Sequence, residues 1–340
     1  MFCHQSPRAY QMLASLLRTS LVFLGIVFTL ACVGGEAERA LPSQQTRHVP
    51  GFAAGQIIET ARGMPISLDR LTALLRQQDV VYLGEEHHHR SHIENGLAIL
   101  RDLVAQGRKP VLAMEMFGWD GQPALDRYVT GSELSRAEFL ESSRWSQNWG
   151  GPYEDYEPLV QFSKEQSLRV EAMNPPKALV RIVARQGLAQ AQADPIMAQW
   201  GMQGESIVDD PLYRTHILQQ LQACHAGGAD SLYHAMYEAS MVRDEGMAKT
   251  LVTRLRQLRS SREAMTGPVV SYTGGGHIQY NLPVPKRVAR RLGDQVRQVS
   301  IYMTSFDAGR IDELQQMIRD HIADYVWLTP VSGQGLPRRC

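Results

Sequence analysis

Net charge is the first thing this sequence lacks: 35 lysines and arginines are cancelled by 35 aspartates and glutamates over 340 residues. With no broad basic field to track a phosphate backbone, nucleic acid is not an expected partner. Cysteine is scarce, with four in the chain and no C-x-x-C pair, which argues against zinc ribbons and disulfide-framework folds. The helical zinc signature H-E-x-x-H is missing as well. The apolar run from Leu21 to Ala31 falls short of the ~20 residues that a membrane-spanning helix needs. What is plentiful is apolar content, 44% of residues, enough for a sizeable buried core.

The N-terminal segment differs from the rest. Residues 1–20 carry Arg8 and Arg18 and no acid, the apolar run follows, and Ala31 precedes Cys32. A basic start, a short apolar centre and a small residue before the cut describe an export signal, residues 1–31. The Ala31-Cys32 junction resembles a bacterial lipoprotein cleavage site, although Thr29 stands where a leucine is usual. Cys32 is the expected lipidation site, tethering the chain to a membrane of the bacterial cell envelope without spanning it. Residues 32–54 are then a polar tether. Cys3 leaves with the signal, so Cys224 and Cys340 remain, a pair that an oxidising compartment permits to bridge but does not oblige to.

From residue 55 to about 330 short apolar runs alternate with longer amphipathic ones, the pattern of an α/β fold with a mainly parallel sheet flanked by helices. The strand candidates are VVYLG, PVLAMEMF, LRVEAMN, PVVSYTG, QVRQVSIYM and YVWL. Between the first two, Ile93, Leu97, Leu100 and Val104 share one helical face. Residues 187–260 break the rhythm with helical patterns alone and read as a helical cap or insertion; residues 331–340 are a tail.

In an open parallel sheet the ligand site lies beyond the carboxyl ends of the strands. Gly84, Glu85 and His87 stand at the first such end, Glu115 at the second, Asn174 at the third, and three glycines with His277 at the fourth. The first and fourth share a Y-x-G-x-x-H pattern, Tyr82 to His87 and Tyr272 to His277, which suggests two related halves facing one site. Ser91-His92-Ile93-Glu94 has the form of a capping box, predicting Ser91 as N-cap and His92 at the positive end of the helix, held neutral by its field. His88 and His89 read as exposed loop residues. Glu85, His87, His92 and His277 together have the donor types of a divalent-metal centre. Alternatively Glu85, His87, Glu115 and His277 act without metal, histidine as general base and glutamate as its orienter. Arg243 and Asp244, adjacent on a half-buried helix face, read either as an ion pair holding the cap or as pocket residues. Lys177 and Arg181 open another helix and read as solvent-exposed cations or as partners for an anionic ligand.

The G-E-x-H run with a histidine five residues on, the strand LAMEMF, the tract WSQNWGGPYEDYEPLVQFSKEQSLRVEAMNPPKALVRIVARQGL, the segment MVRDEGMA and the stretch SYTGGGHIQYNLPVPKRV together resemble the ChaN-like family of haem-binding uptake proteins. That family shares a superfamily with Tiki metalloproteases and erythromycin esterases. The resemblance runs over residues 55–305 in order. It implies an exported, lipid-anchored haem or iron-uptake protein, with two subunits pairing around stacked haems. Its motif positions fall on Gly84, Glu85, His87, His92, Glu115, Asn174, Arg243, Asp244 and His277. Haem needs an apolar slot and an axial donor, and the Tyr- and Met-rich helical segment supplies Tyr213, Tyr233 and Tyr237 as axial candidates. The competing reading, from the Tiki and esterase relatives, is a hydrolase of esters or peptides.

Overall fold

The computed structural model describes residues 51–131, 134–260 and 266–332. The segment read as an export signal, Cys3, Cys32, most of the expected tether and residues 333–340 with Cys340 lie outside the described residues. Cys224 is disulfide-bonded, and the other three cysteines all fall in the undescribed parts.

Eight strands form one sheet: β1 (Ile57–Glu59), β2 (Met64–Ile66), β3 (Val80–Glu85), β4 (Lys109–Gly118), β5 (Val170–Asn174), β6 (Thr266–Gly274), β7 (Gln298–Ser305) and β8 (Tyr325–Thr329). Their spatial order is β2-β1-β8-β7-β3-β6-β4-β5. The last six strands of that order are mutually parallel, and β1 runs antiparallel to both of its neighbours, β2 and β8, at one edge. All six strand candidates of the sequence are strands here. The hairpin escaped them because three-residue strands leave too little alternation to read.

Helices cover both faces, as the near-continuous apolar strands require. On one face Leu97, Leu100 and Leu103 of the helix Arg90–Ala105 pack with Val81, Leu83, Val270 and Tyr272. On the other, Met247, Leu251 and Leu255 of the helix Asp230–Ser260 pack with Val80, Tyr82, Val111 and Val269. Residues 187–260 are free of strands, as the pattern predicts, but the second half of helix 230–260 is a core layer of the sheet and not part of a cap. Among the described residues no helix is long and apolar enough to cross a membrane.

β3 and β6 lie side by side at the centre of the sheet, so both copies of Y-x-G-x-x-H end at the same rim. The copies are not equivalent. Leu83 pairs with Tyr272, and Tyr82 with Ser271, so the registers differ by one residue and the two tyrosines point to opposite faces. Tyr82 donates to Gln298 Oε1 at 2.6 Å on one side and Tyr272 to Glu85 Oε2 at 2.8 Å on the other. The two-halves expectation fails on this offset.

Candidate functional site

Glu85, the last residue of β3, projects to the face of helix 90–105 and is buried. Its Oε1 accepts from the Tyr156 hydroxyl at 2.7 Å and lies 2.9 Å from His87 Nδ1, while Oε2 takes the Tyr272 hydroxyl. Burial and the neighbouring Glu85 charge both push the Tyr156 hydroxyl up, so it stays a donor. Such a carboxylate fixes the His87 tautomer: Nδ1 carries the proton and Nε2 keeps its lone pair.

Glu115 leaves β4 on the opposite face and is equally buried. Its Oε2 accepts from the Thr273 hydroxyl and the Gly274 N–H, each at 2.6 Å, and its Oε1 is ion-paired with Arg243. Asn174 brackets this pair, donating to the Glu115 carbonyl at 2.7 Å and accepting from Arg243 Nε at 3.0 Å. Burial disfavours the charged carboxylate, but Arg243 and then His277 outweigh it and hold Glu115 well below the usual carboxylate range.

The two faces meet through His87. Its Nδ1 is bound to Glu85, and its Nε2 lies 4.0 Å from Glu115 Oε1 across the end of β6. Gly274 makes this crossing possible: a Cβ there would sit 2.7 Å from His87 Cε1, far inside any real contact. Gly84 is needed for the same kind of reason, since its Cβ would fall 2.5 Å from Ile278 Cδ1. His87 packs edge-on against Trp149 and keeps two-fifths of its side chain exposed. Burial lowers its pKa, but the Glu85 hydrogen bond and the two carboxylate charges raise it more.

His277 faces Glu115 Oε1 at 3.5 Å through Nε2 and Asp244 Oδ1 at 2.5 Å through Nδ1. Desolvation would lower its pKa, yet Glu115 and Asp244 together lift it to about 9. The ring is therefore an imidazolium at neutral pH, flanked by two carboxylates. Behind it the Tyr213 hydroxyl donates to Asp244 Oδ2 at 2.6 Å. Arg243 and Asp244 do not pair with each other; they are neighbours in sequence that serve Glu115 and His277 respectively.

Glu85, His87, Gly274 and His277 line a cleft of about 970 Å³. Phe306, Leu314, Met317 and Ile322, which belong to one packed apolar cluster, line it as well. Of the residues the sequence singled out, Glu85, His87, Glu115, Asn174, Arg243, Asp244 and His277 converge here. Lys177 and Arg181 are exposed on helix Lys177–Gln186. Tyr156 and Thr273 were missed; neither sits at a periodicity break that marks a site residue.

His92 does not join this group. The helix starts at Arg90 with His89 at its cap and no side-chain capping bond, so Ser91 lies inside it and the capping-box expectation fails. His92 Nδ1 accepts the Glu86 N–H at 2.9 Å, and its Nε2 sits 2.9 Å from the Thr329 hydroxyl. The ring is neutral as expected, but burial is the main cause and His89 the second. His88 and His89 are not exposed loop residues. His89 is buried, stacked on His92 with centroids 4.0 Å apart, and His88 Nδ1 lies 2.7 Å from Asp155 Oδ2.

A single metal centre built from Glu85, His87, His92 and His277 is therefore not formed: His92 lies apart, both Glu85 oxygens hold tyrosine hydroxyls, and Arg243 occupies the cation position at Glu115. The ligand atoms of Glu86, His89 and His92 do lie within 4.8 Å of one another, a spacing compatible with a metal ion. Such an ion would have to displace a partner of His92, and Glu86 already accepts from Thr304 and Ser305.

The cap tyrosines are engaged elsewhere. Tyr213 is bound to Asp244, Tyr233 donates to the His225 carbonyl at 2.6 Å, and Tyr237 donates to Asp209 at 2.6 Å. All three are buried. A phenolate can ligate iron only if its oxygen faces the ligand, so none of them is an axial donor in this arrangement.

Known proteins are similar to this chain in sequence or in fold. Over 73% of its length the chain is 24% identical to RETICULATA-RELATED 5, a chloroplastic protein of Arabidopsis thaliana, and spans about a third (34%) of that relative. Its fold is that of ChaN of Campylobacter jejuni, a structure described for cofacial haem binding. The TM-score is 0.60 and the identity 18%, covering 80% of this chain and 95% of that one. A mutant of the erythromycin esterase EreC in its open conformation also aligns, with a TM-score of 0.41 and 13% identity over 70% of this chain and 72% of that one. The sequence model of the haem-binding uptake family, Tiki superfamily, ChaN, matches residues 71–288, well over half of the chain, and the protein belongs to that family.

Proposed function

We propose that this chain is an exported, lipid-anchored haem-binding protein of the cell envelope that takes part in haem or iron uptake, as a homodimer or with a second subunit closing the cleft. The observation that carries the reading is the cleft itself. Its size is at the upper end of small-molecule sites, and it combines an apolar wall with a polar rim. A porphyrin needs that combination, a slot for the macrocycle with polar groups at its edge, and five histidines line the cleft as donors. Family membership and the haem bound by Campylobacter jejuni ChaN support the assignment. Cys32 and the segment before it support export and anchoring. When bound, the haem supplies an iron centre; the chain supplies the wall, an axial donor and exclusion of water. Titration of the full chain with ferric haem tests the reading. A saturable Soret shift at micromolar haem is expected, and no shift refutes it.

A second reading, hydrolysis of an ester or amide, is favoured by one specific arrangement. His87 presents an unprotonated Nε2 held in place by Glu85, opposite an imidazolium at His277 and the Arg243 guanidinium. In this reading His87 takes a proton from water, the hydroxide adds to the carbonyl carbon, and His277 stabilises the oxyanion. His277 then gives its own proton to the leaving group as the carbonyl carbon's bond to it breaks, and solvent resets both rings by taking the proton from His87 and supplying one to His277. Hydrolysis abolished by His87→Ala in a folded protein supports it; a full panel of esters and peptides left intact by the wild type removes it.

A further inference from the structure

We propose that a second pocket, between edge strand β5 and helix 230–260, binds a small aromatic carboxylate, with Arg254 meeting the carboxylate and Trp119 and Trp200 the ring. This pocket is separate from the histidine cleft and does not depend on haem binding.

The pocket has a volume of about 340 Å³ and shares no lining residue with the cleft. That is the lower end of small-molecule sites. Arg254 enters it from helix 230–260, Arg169 and Glu171 from the start of β5, and Trp119 and Trp200 complete the wall. An extended peptide has no purchase here, because Gln122 already closes the strand edge: its amide accepts the Ala172 N–H at 2.6 Å and donates to the Val170 carbonyl at 3.0 Å.

Charge at this pocket is unevenly met. Arg169 and Arg254 both pair with the one buried carboxylate of Glu171. Arg169 has a second carboxylate in Asp126, at 3.5 Å, and Lys249 is paired with Glu205 at 3.0 Å. Arg254 has no other ion pair among the described residues, and its Nε is buried without a hydrogen-bond partner. Burial draws its pKa below the usual guanidinium value; Glu171 opposes this and Arg169 reinforces it. A half-buried guanidinium that shares its one counter-ion favours an added anion. A carboxylate suits it better than a phosphate. The planar group matches the guanidinium fork, and a second negative charge would be repelled by Glu171 beside it.

The indoles assign the ring. Trp119 and Trp200 are half-buried, pack against the apolar cluster of Leu179, Val183 and Met197, and lie 6.4 Å apart between centroids at 44°. Trp119 is fixed by donating from Nε1 to the Thr250 hydroxyl at 2.8 Å. Both line the pocket, and an aromatic body gains area and ring contact from such walls.

The test is fluorine NMR of the full chain labelled with fluorotryptophan, its five tryptophans assigned by single replacements with phenylalanine. Naphthoate is expected to shift Trp119 and Trp200 saturably and to leave Trp149, beside His87, in place. Naphthamide, the uncharged counterpart, is expected to bind at least about tenfold more weakly, and Arg254→Gln to lose a similar factor. Arg254→Lys, which keeps the charge without the fork, and Trp200→Leu, on the half-exposed wall, are each expected to weaken binding severalfold, with circular dichroism confirming every fold. No saturable shift with naphthoate, shifts at Trp149 in place of Trp119 and Trp200, or naphthamide binding as tightly as naphthoate overturns the proposal. So do Arg254→Lys and Trp200→Leu proteins that both bind like wild type, and naphthyl phosphate binding tighter than naphthoate removes the carboxylate assignment.

Discussion

Two histidine pairs sit within one stretch of rim and have opposite characters. His87 and His277 meet at Glu115 among three carboxylates, and their pKa values rise. His89 and His92 stack on each other beside the carboxyl ends of β7 and β8, and His92 is driven well below the usual imidazole range by burial. The same side chain thus takes up a proton more readily in one place and less readily in the other. What differs is whether buried carboxylates repay the loss of water. Histidine density in GEEHHHRSH therefore says little about chemistry until the partners are known.

The largest expected effect comes from unbalancing the charged pair. Arg243→Ala removes the nearer of the two cations at buried Glu115 and leaves His277, so a loss of about 3 kcal/mol, the lower end for a broken buried pair, is expected by urea denaturation. A loss under ~1 kcal/mol would mean that His277, Thr273 and Gly274 hold the charge without Arg243.

The contrast sharpens with pH. His277 has a folded pKa of about 9 against an ordinary 6.5. Its contribution is therefore complete below pH 6.5 and is lost as pH rises through about 9. His92 is depressed from the same 6.5, so its contribution is present above that value and is lost as pH falls below it. His277→Asn should flatten the alkaline flank of the stability profile by about 3 kcal/mol, and His92→Gln should flatten its acid flank, below the ordinary imidazole range. Both variants altering the same flank would abolish the distinction between the pairs.

A smaller effect isolates geometry from charge. Gly274→Ala puts a methyl against the His87 ring, which is exposed enough to swing away. Stability should fall by about 1 kcal/mol or less, while the His87 ring resonances shift and the contact with Glu115 is lost. The smallest effect serves as a baseline: Arg90→Ala removes an exposed pair with Glu94, 2.8 Å long, and should change stability by under ~0.5 kcal/mol.

Much of the fold could be read from local pattern. The six parallel strands are buried apolar runs, and helix 90–105 shows its face in Ile93, Leu97 and Leu100. The β1/β2 edge was not legible because its strands are three residues long. At the site, the strand-end rule located Glu85, Glu115, Asn174 and His277, but it could not rank the four clustered histidines 87, 88, 89 and 92 or find Tyr156, which reaches Glu85 from 71 residues away. Nor could it assign the cap tyrosines, whose hydroxyl partners lie on other turns of the chain.

By itself the sequence determined the layered α/β architecture and the set of polar residues delivered to one rim, because apolar periodicity and strand ends are properties of neighbouring residues. Only the tertiary structure decided which histidines are paired with carboxylates and which are sealed from them. Protonation and hydrogen bonding depend on groups brought within a few ångströms by folding, and their separation along the chain carries no record of that distance.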